Sequence, residues 1–173
     1  MATAAPPSSP VPTAAQRSSP RSIVIPALGL SSILGPARGL KPNGTIDDAP
    51  LSGPTWSLPW WYDKGPTPGQ QGSSVLLGHV DSATGEGHLG AFFHLGNLAT
   101  GKTVDVSLAD GVVTHWVTVS NVLYADGNFP DAVVYDRSGP PTLRLVTCGG
   151  QFDAITGHYQ SADVVTARFN GES

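Results

Sequence analysis

Apolar residues in this chain occur in short runs that alternate with polar residues or are bounded by glycine and proline. In the segment 103–108, Val104, Val106 and Leu108 alternate with polar neighbours, which is the period-two pattern of a half-buried strand. Asp110-Gly111 joins this segment to 112–119 in a predicted β-hairpin. The other predicted strands are 22–26, 28–34, 74–77, 121–125, 142–147 and 164–169.

Two segments between the strands carry information of their own. The run 89–98 is interrupted by glycines and predicts no more than short helical turns. The segment 126–141 is a long loop of about sixteen residues, and loops longer than about 12–15 residues are usually functional or disordered. About eight short strands with little helix predict an all-β fold, best satisfied by a closed eight-stranded β-barrel with short helical turns and long loops.

The chain of 173 residues is long enough for one domain. Residues 1–20 are rich in Ala, Pro and Ser and carry almost nothing apolar to bury, so they are predicted to be a disordered linker. The predicted folded domain is therefore 21–173.

Charge and composition exclude several classes of function. The net charge is −4 and only 13% of residues are charged, so the chain lacks the basic patch that nucleic-acid binding requires. It contains no run of about twenty apolar residues that would span a membrane. A single cysteine excludes an internal disulfide and a cysteine-rich zinc site.

That cysteine, Cys148, follows the apolar run 142–147 and precedes Gly149-Gly150. Most free cysteines are small buried hydrophobic residues. However, side chains at the end of a strand are commonly exposed, and two glycines leave room for a substrate backbone. Cys148 is therefore a candidate nucleophile.

A cysteine nucleophile needs a neighbour that accepts its proton or stabilises the thiolate. Of the five histidines, His79 is the candidate because it ends the apolar strand 74–77 and precedes polar residues. If that strand and 142–147 are neighbours in one barrel, His79 and Cys148 open onto the same rim. A zinc site formed by His79, His88 and His94 is the competing chemistry, but their spacings of nine and six do not match helical or tight-turn ligand geometry.

Three separated motifs carry a resemblance to a known family. They are Ile25–Gly29 (IPALG), Leu77–Ser82 (LGHVDS) and Thr142–Gly150 (TLRLVTCGG). In this order they resemble the sortases, and GHVDS together with CGG resembles the class F members from actinobacteria. The resemblance spans about Ser22 to Phe169. It implies a sortase-like barrel on the extracellular face of the Gram-positive cell membrane, held by a single N-terminal anchor that the chain as given does not include.

The resemblance also implies the reaction. In such enzymes the cysteine attacks the peptide bond after the threonine of an LPxTG-like sorting signal and forms a thioacyl enzyme. An amine nucleophile, such as a peptidoglycan precursor or a pilin lysine, then resolves it. By this resemblance Cys148 is the nucleophile and His79 is the acid/base that protonates the leaving amine.

The family's third residue is an arginine on the last strand that donates to the substrate carbonyl, and here the chain departs from the pattern. Gln160 stands about where that arginine is expected, and the only arginine after Cys148 is Arg168. Arg144 shares a strand face with Cys148 by the period of two, about 13 Å away along the strand. It is the predicted oxyanion donor, with Arg137 as a further candidate.

Four residues are predicted to contact the sorting signal: Val146, Gln160, Phe129 and Tyr135. The last two lie in the loop 126–141, which corresponds to the specificity loop of the family. The acidic residues Asp81, Glu86, Asp126 and Asp131 are scattered, as expected of solvated side chains, and neither a metal nor another cofactor is predicted.

Two other functions compete with this reading. The missing last-strand arginine favours a sortase-fold module that binds a peptide with little or no turnover. A purely structural β-barrel is the other, and it requires Cys148 to be buried and unreactive.

Overall fold

The computed structural model describes residues 18–82 and 89–173. The linker predicted for 1–20 lies almost wholly outside the described residues, as do Glu86 and His88. β1 begins at Pro20, the last residue of that predicted linker.

Within the described residues, eight strands form one sheet in the order β2-β1-β5-β6-β8-β7-β4-β3. The strands are β1 Pro20–Ile25, β2 Leu30–Ile33, β3 Trp60–Trp61, β4 Ser73–Leu77, β5 Thr103–Leu108, β6 Val113–Ala125, β7 Thr142–Asp153 and β8 His158–Glu172. β4 and β7 run parallel, whereas the other neighbouring pairs are antiparallel.

Helix is confined to short pieces. The α-helix α1 spans Asp131–Val134, and 3₁₀ turns span Pro26–Leu28 and Leu95–Asn97. No helix in residues 18–82 or 89–173 has the length and hydropathy to cross a membrane.

The sheet curls around a single interior core. Its buried residues come from β1 and from β3 to β8, and Leu30 of β2 packs against them. The members include Ile23, Leu76, Val104, Trp116, Leu145 and Val165. Burial of these side chains supplies the main stabilisation of the barrel, and truncating one such leucine to alanine costs about 2–5 kcal/mol.

The two edge strands, β2 and β3, are joined by an irregular segment instead of a strand ladder. The Gly35 N–H donates to Pro59 O (2.8 Å), the Arg38 N–H to Trp61 O (2.9 Å) and the Asp63 N–H to Arg38 O (2.9 Å). The predicted eight-stranded all-β barrel is confirmed, but strand pairing does not fully close it: between β2 and β3 these three backbone hydrogen bonds bridge the open side.

Three strands are longer than the sequence pattern predicts. The segments 112–119 and 121–125 form the single strand β6, β7 continues through Gly149-Gly150 to Asp153, and β8 begins at His158. The reason is mutual pairing, since β8 bonds to β6 on one side and to β7 on the other along most of its length. β3 was not predicted because two residues are too few for a pattern.

A second apolar cluster covers the outer face of the sheet. It contains Trp60, Val75, Leu77, Val146 and Val164 from the strands, with Ala49 and Val134 from covering loops. We call residues 36–59 the covering segment. Because β4 is buried on both faces, its sequence is a continuous short run instead of an alternating one.

Candidate active site

The parallel pairing of β4 and β7 brings His79 and Cys148 to the same edge of the sheet. The register aligns Leu77 with Val146. It continues one step further, because the Gly78 N–H donates to Val146 O (3.1 Å) and the Thr147 Oγ1 donates to Gly78 O (2.8 Å). One residue beyond these come His79, which follows the end of β4, and Cys148, which lies in β7.

Both side chains also lie on the outer face. Leu77 and Val146 belong to the outer cluster, and side chains two residues apart on a strand share a face. The His79 ring packs on Trp60, another member of that cluster, with ring centroids 5.0 Å apart. The structure therefore places both groups on one face, with Cys148 inside β7 and His79 two residues past the end of β4.

The imidazole of His79 is held from several sides. Its Nε2–H donates to the carbonyl oxygen of Ala49 (2.9 Å) in the covering segment. The Phe92 N–H donates to His79 O (3.3 Å), and a Cβ at Gly90 would lie 2.0 Å from that oxygen, which only glycine avoids. With Nε2 donating, the neutral ring has Nδ1 as its proton acceptor.

Cys148 lies inside β7, not at its end, and the residue is exposed. The strand is irregular just after it, between Gly149 and Phe152. A Cβ at Gly149 would lie 2.5 Å from Asp163 Oδ2 and 2.9 Å from Leu123 Cδ1. The first glycine therefore serves close packing against β8 and β6, a role that the sequence did not predict, while room for a substrate backbone stays a prediction. Exposure of Cys148 also contradicts a buried, inert cysteine.

The surroundings of Cys148 disfavour its thiolate. Although the residue is exposed to solvent, partial desolvation of its sulfur by neighbouring atoms raises the pKa of the Cys148 thiol above its ordinary value, and the carboxylates of Asp48, Asp126 and Asp81 raise it further. The thiol is therefore the predominant form at neutral pH, and a proton acceptor is needed to make it a nucleophile.

β8 presents small or neutral side chains next to the cysteine. Ala162 is the residue opposite Cys148 in the β7–β8 pair. Gln160 lies two residues before Ala162, near the start of β8, and is exposed. By the period of two it lies on the same outer face as Val164. The Asp126 N–H donates to Gln160 O (2.9 Å), which fixes this part of β8 beside the β6–β7 loop.

Arg144 shares the outer face with Cys148 but lies four residues earlier on β7. Its Nη1 donates to Thr166 Oγ1 on β8, and its Nε is buried without a partner. Burial lowers the pKa of the guanidinium, while it stays charged at neutral pH. The structure does not bring Arg144 to Cys148.

The other two candidate arginines also lie elsewhere. Arg137 donates to Lys64 O and packs against Gly72, near the start of β4 and so at the end opposite His79. Arg168 is paired with Thr142, the first residue of β7.

The predicted specificity loop packs on the outer face. Val134 of α1 is fully buried there, and Phe129 and Tyr135 pack against the same cluster. The Tyr135 ring lies 5.1 Å from Tyr62 and 6.4 Å from Phe129. Burial raises the pKa of the Tyr135 hydroxyl, with Asp131 the next cause. Val146 lies two residues from Cys148 but is only 7% exposed.

An open cleft of about 690 Å³ lies between this loop and the covering segment. Tyr135 lines it, so one of the predicted substrate contacts is accessible there. Its other walls include Leu40, Ile46, Asp48, Tyr62 and Asp131.

Three features of the site were not predicted from the sequence. Trp60 supports the imidazole, Ala49 accepts its hydrogen bond, and Tyr159 donates to Asp81 (2.6 Å) two residues after His79. No motif marks the first two, because Ala49 lies in the covering segment, which has no periodic pattern, and Trp60 lies in the two-residue strand β3. The third joins positions 78 residues apart in the chain.

The alternative zinc site is represented only in part, because His88 lies outside the described residues. His79 contacts Ala49 and Trp60, whereas His94 packs on Phe93 with ring centroids 4.9 Å apart. In the part of the chain that the structure covers, no three His, Cys, Asp or Glu side chains cluster as metal ligands would.

Known proteins share this architecture. The family profile described as Sortase domain matches residues 23–170. No curated protein matches the chain. Three similar solved structures, at 13–18% identity, are a sortase D5 transpeptidase of Clostridium perfringens, sortase C-1 of Actinomyces oris and sortase A of Listeria monocytogenes.

The structural similarity extends over most of each molecule. For the Clostridium sortase D5 the TM-score is 0.60, with 88% of this chain and 79% of that chain covered. For the Actinomyces sortase C-1 it is 0.62, with 87% and 73% covered, and for the Listeria sortase A it is 0.62, with 91% and 90% covered. At this identity the structures establish the fold, and the profile, which covers most of the chain, establishes the family. The chain belongs to the sortase family.

Proposed function

We propose that this chain is a class F-like sortase, a cysteine transpeptidase that cleaves an LPxTG-like sorting signal after its threonine and joins the signal to an amine. The observation that carries the proposal is that the parallel pairing of β4 and β7 leads His79, two residues after β4, and Cys148 of β7 to the same edge of the sheet. Cys148 is exposed there, and the Nε2 of His79 is bonded to Ala49 O, which leaves Nδ1 as the acceptor of the neutral ring.

The first half of the reaction uses both residues. His79 Nδ1 accepts the Cys148 thiol proton, and the sulfur attacks the carbonyl carbon of the threonine. The C–N bond then breaks, the leaving amine takes the proton from the imidazole, and a thioester remains on Cys148. The raised pKa of the thiol makes this proton transfer an obligatory part of the step.

The second half reverses the same transfers with a new amine. The amine attacks the thioester carbonyl, the imidazole accepts its proton, and the C–S bond breaks as the sulfur recovers a proton. A peptidoglycan precursor or a pilin lysine is the proposed acceptor. The covering segment excludes water from part of this face, which favours the amine over hydrolysis.

The negative charge that develops on the carbonyl oxygen needs a donor. Gln160 is the proposed donor, because it lies on the outer face within two residues of the position opposite Cys148. Its amide gives a neutral hydrogen bond, which is roughly half as strong as a charge-assisted one. Arg144, the donor expected from the sequence, would have to reach along four residues of β7, about 13 Å.

The residues of the signal that precede the cleavage site are proposed to lie in the cleft beside Tyr135, against its apolar residues Leu40 and Ile46. Phe129 packs beside Tyr135. We propose that the enzyme acts on the extracellular face of the cell membrane, where an N-terminal anchor holds it and the Ala/Pro/Ser-rich segment links the anchor to the folded domain. This location is the one that the resemblance to class F sortases implies.

The test is cleavage of a fluorogenic LPxTG-type peptide, with and without an amine acceptor, by the wild type and by Cys148→Ala. We expect the wild type to cleave the peptide and to form an amide with the acceptor, and the variant to do neither. Cleavage that persists in Cys148→Ala would refute the proposal.

A second candidate function is a peptide-binding module with little or no turnover. The neutral Gln160 and the raised thiol pKa favour it, because both weaken acyl transfer. Binding of the signal peptide to the wild type without cleavage, with an affinity that Cys148→Ala retains, would establish this alternative.

A further inference from the structure

The loop that follows His79 is tied to the hairpin that follows Cys148 by one side-chain hydrogen bond. The Tyr159 hydroxyl at the start of β8 donates to Asp81 Oδ2 at 2.6 Å. Asp81 is two residues after His79, and Tyr159 is paired with Phe152 of β7, four residues after Cys148. The bond therefore connects the two segments whose relative position sets the distance between imidazole and sulfur.

Both ends of this bond are themselves fixed. The ring of Phe152 packs on Tyr159 with centroids 5.2 Å apart. On the other side, Asp81 forms a bridge with Leu89, and the Gly90 N–H donates to Val80 O (2.7 Å). A displacement of the hairpin is thus transmitted to the loop through a short chain of contacts.

The pair also lies within electrostatic reach of the thiol. Burial, then the hydrogen bond and charge of Asp81, and finally the charge on Cys148 raise the pKa of the Tyr159 hydroxyl to about 12. The hydroxyl therefore keeps its proton and acts as a donor throughout the working pH range. The Asp81 carboxylate in turn disfavours the Cys148 thiolate, and the hydrogen bond from Tyr159 disperses part of that charge.

We propose that Tyr159 and Asp81 are a positioning pair. Their hydrogen bond holds the segment after His79 against the β7–β8 hairpin that follows Cys148, so that the imidazole stays in position to accept the thiol proton. Neither side chain reacts. The proposal rests on the proposed function only for its effect on turnover, because the reactivity of the Cys148 thiol can be measured without any substrate.

Four variants separate geometry from charge. Tyr159→Phe removes the hydroxyl and keeps the ring on Phe152, and Asp81→Ala removes the acceptor. Asp81→Asn removes the charge but keeps a carbonyl oxygen that can accept from Tyr159. Asp153→Ala is the matched control, since its carboxylate accepts hydrogen bonds from Ile155 and Thr156 at the tip of the same hairpin and does not reach the His79 loop.

The expected result is an order of effects. For peptide cleavage, Tyr159→Phe and Asp81→Ala lower kcat about 10- to 100-fold with KM nearly unchanged, the scale of misplacing a reacting group by about 1 Å. Asp81→Asn and Asp153→Ala retain most of the wild-type kcat. Equal losses in Asp81→Asn and Asp81→Ala, or an equal loss in Asp153→Ala, would overturn the positioning role.

A measurement without substrate tests the pair even if the chain turns no peptide over. The rate of Cys148 alkylation by iodoacetamide is measured as a function of pH. The titratable groups near the sulfur, whose charges can affect this profile, are Asp48, Asp126, Asp81, Tyr159 and His79. Asp81→Asn should shift the profile to lower pH, because one carboxylate is lost. Tyr159→Phe should lower the neutral-pH rate, because the imidazole is no longer held. Profiles identical to the wild type in both variants would refute the pair independently of any sortase activity.

Discussion

The outer face of β7 has two ends with opposite chemistry. At one end Arg144 is half-buried, bonded to Thr166, with a guanidinium nitrogen that lacks a partner. At the other end Cys148 is exposed, next to His79, under the influence of the carboxylates of Asp48, Asp126 and Asp81. The only cation on this strand thus lies about 13 Å from its only thiol.

The two ends of β7 therefore have different roles: the Arg144 end contributes to packing, and the Cys148 end carries the candidate chemistry. At the Arg144 end the side chain is half-buried, and its guanidinium donates a hydrogen bond to Thr166 on the neighbouring strand β8. At the Cys148 end the charged neighbours are carboxylates, which donate no hydrogen bond, so we expect proton transfer to run through His79 and the oxyanion to rely on neutral donors such as Gln160. Each prediction below changes one end and leaves the other intact.

The largest effect is expected from His79→Ala. Loss of the general acid/base should lower kcat/KM for a signal peptide about 100- to 10,000-fold, because the thiol has no other acceptor positioned by the pairing of β4 and β7. Steady-state kinetics, with circular dichroism to confirm the fold, measures it. A variant within a few-fold of the wild type would place the acid/base elsewhere.

A gain is expected from Gln160→Arg. A guanidinium on β8 near Cys148 lowers the pKa of the thiol and turns a neutral donor into a charged one, which is about twice as strong, so the rate should rise about tenfold. The matched control is His158→Arg, which adds the same charge two residues further along the exposed hairpin, about 7 Å away. Equal effects in the two variants would show that only net charge matters.

The pH dependence of Cys148 alkylation reports the carboxylate-rich end directly. Because burial and three carboxylates raise the thiol pKa, the thiolate fraction at neutral pH is below that of an ordinary cysteine. The alkylation rate should therefore still increase above about pH 8.5, the pKa of a free cysteine. A plateau reached below that pH would contradict the site's electrostatics.

The smallest effect is expected at the other end. Arg144→Met removes a guanidinium with an unpartnered buried nitrogen and keeps an apolar stem of similar reach, so turnover should stay within about twofold of the wild type. Peptide cleavage measures this. A large loss of kcat would instead restore Arg144 as the oxyanion donor that the sequence suggested.

Much of this architecture could be predicted from local patterns. The alternation in 103–108 and the Asp110-Gly111 turn identify β5 and the hairpin, and the apolar runs ending near His79 and Cys148 identify β4 and β7. Motif order was enough to suggest the family. The parallel register of β4 and β7 brings those two residues to the same edge of the sheet, and no local sequence pattern encodes this register.

The rest depended on long-range contacts. β7 does not stop at Gly149-Gly150, because β8 continues to pair with it. Trp60, Ala49 and the Tyr159–Asp81 bond come from irregular or distant segments without periodicity, so neither spacing nor alternation could place them. Arg144 was assigned correctly to the face of Cys148, but strand period alone could not show that its guanidinium is occupied by Thr166.

The most direct measurement is the intact mass of the protein after rapid mixing with a signal peptide, in the absence of an amine acceptor. The account predicts a species heavier by the acyl fragment that ends in threonine, mapped to Cys148, slowed in His79→Ala and absent in Cys148→Ala. Peptide cleavage with no acyl adduct on the thiol, or an adduct on another residue, would contradict it.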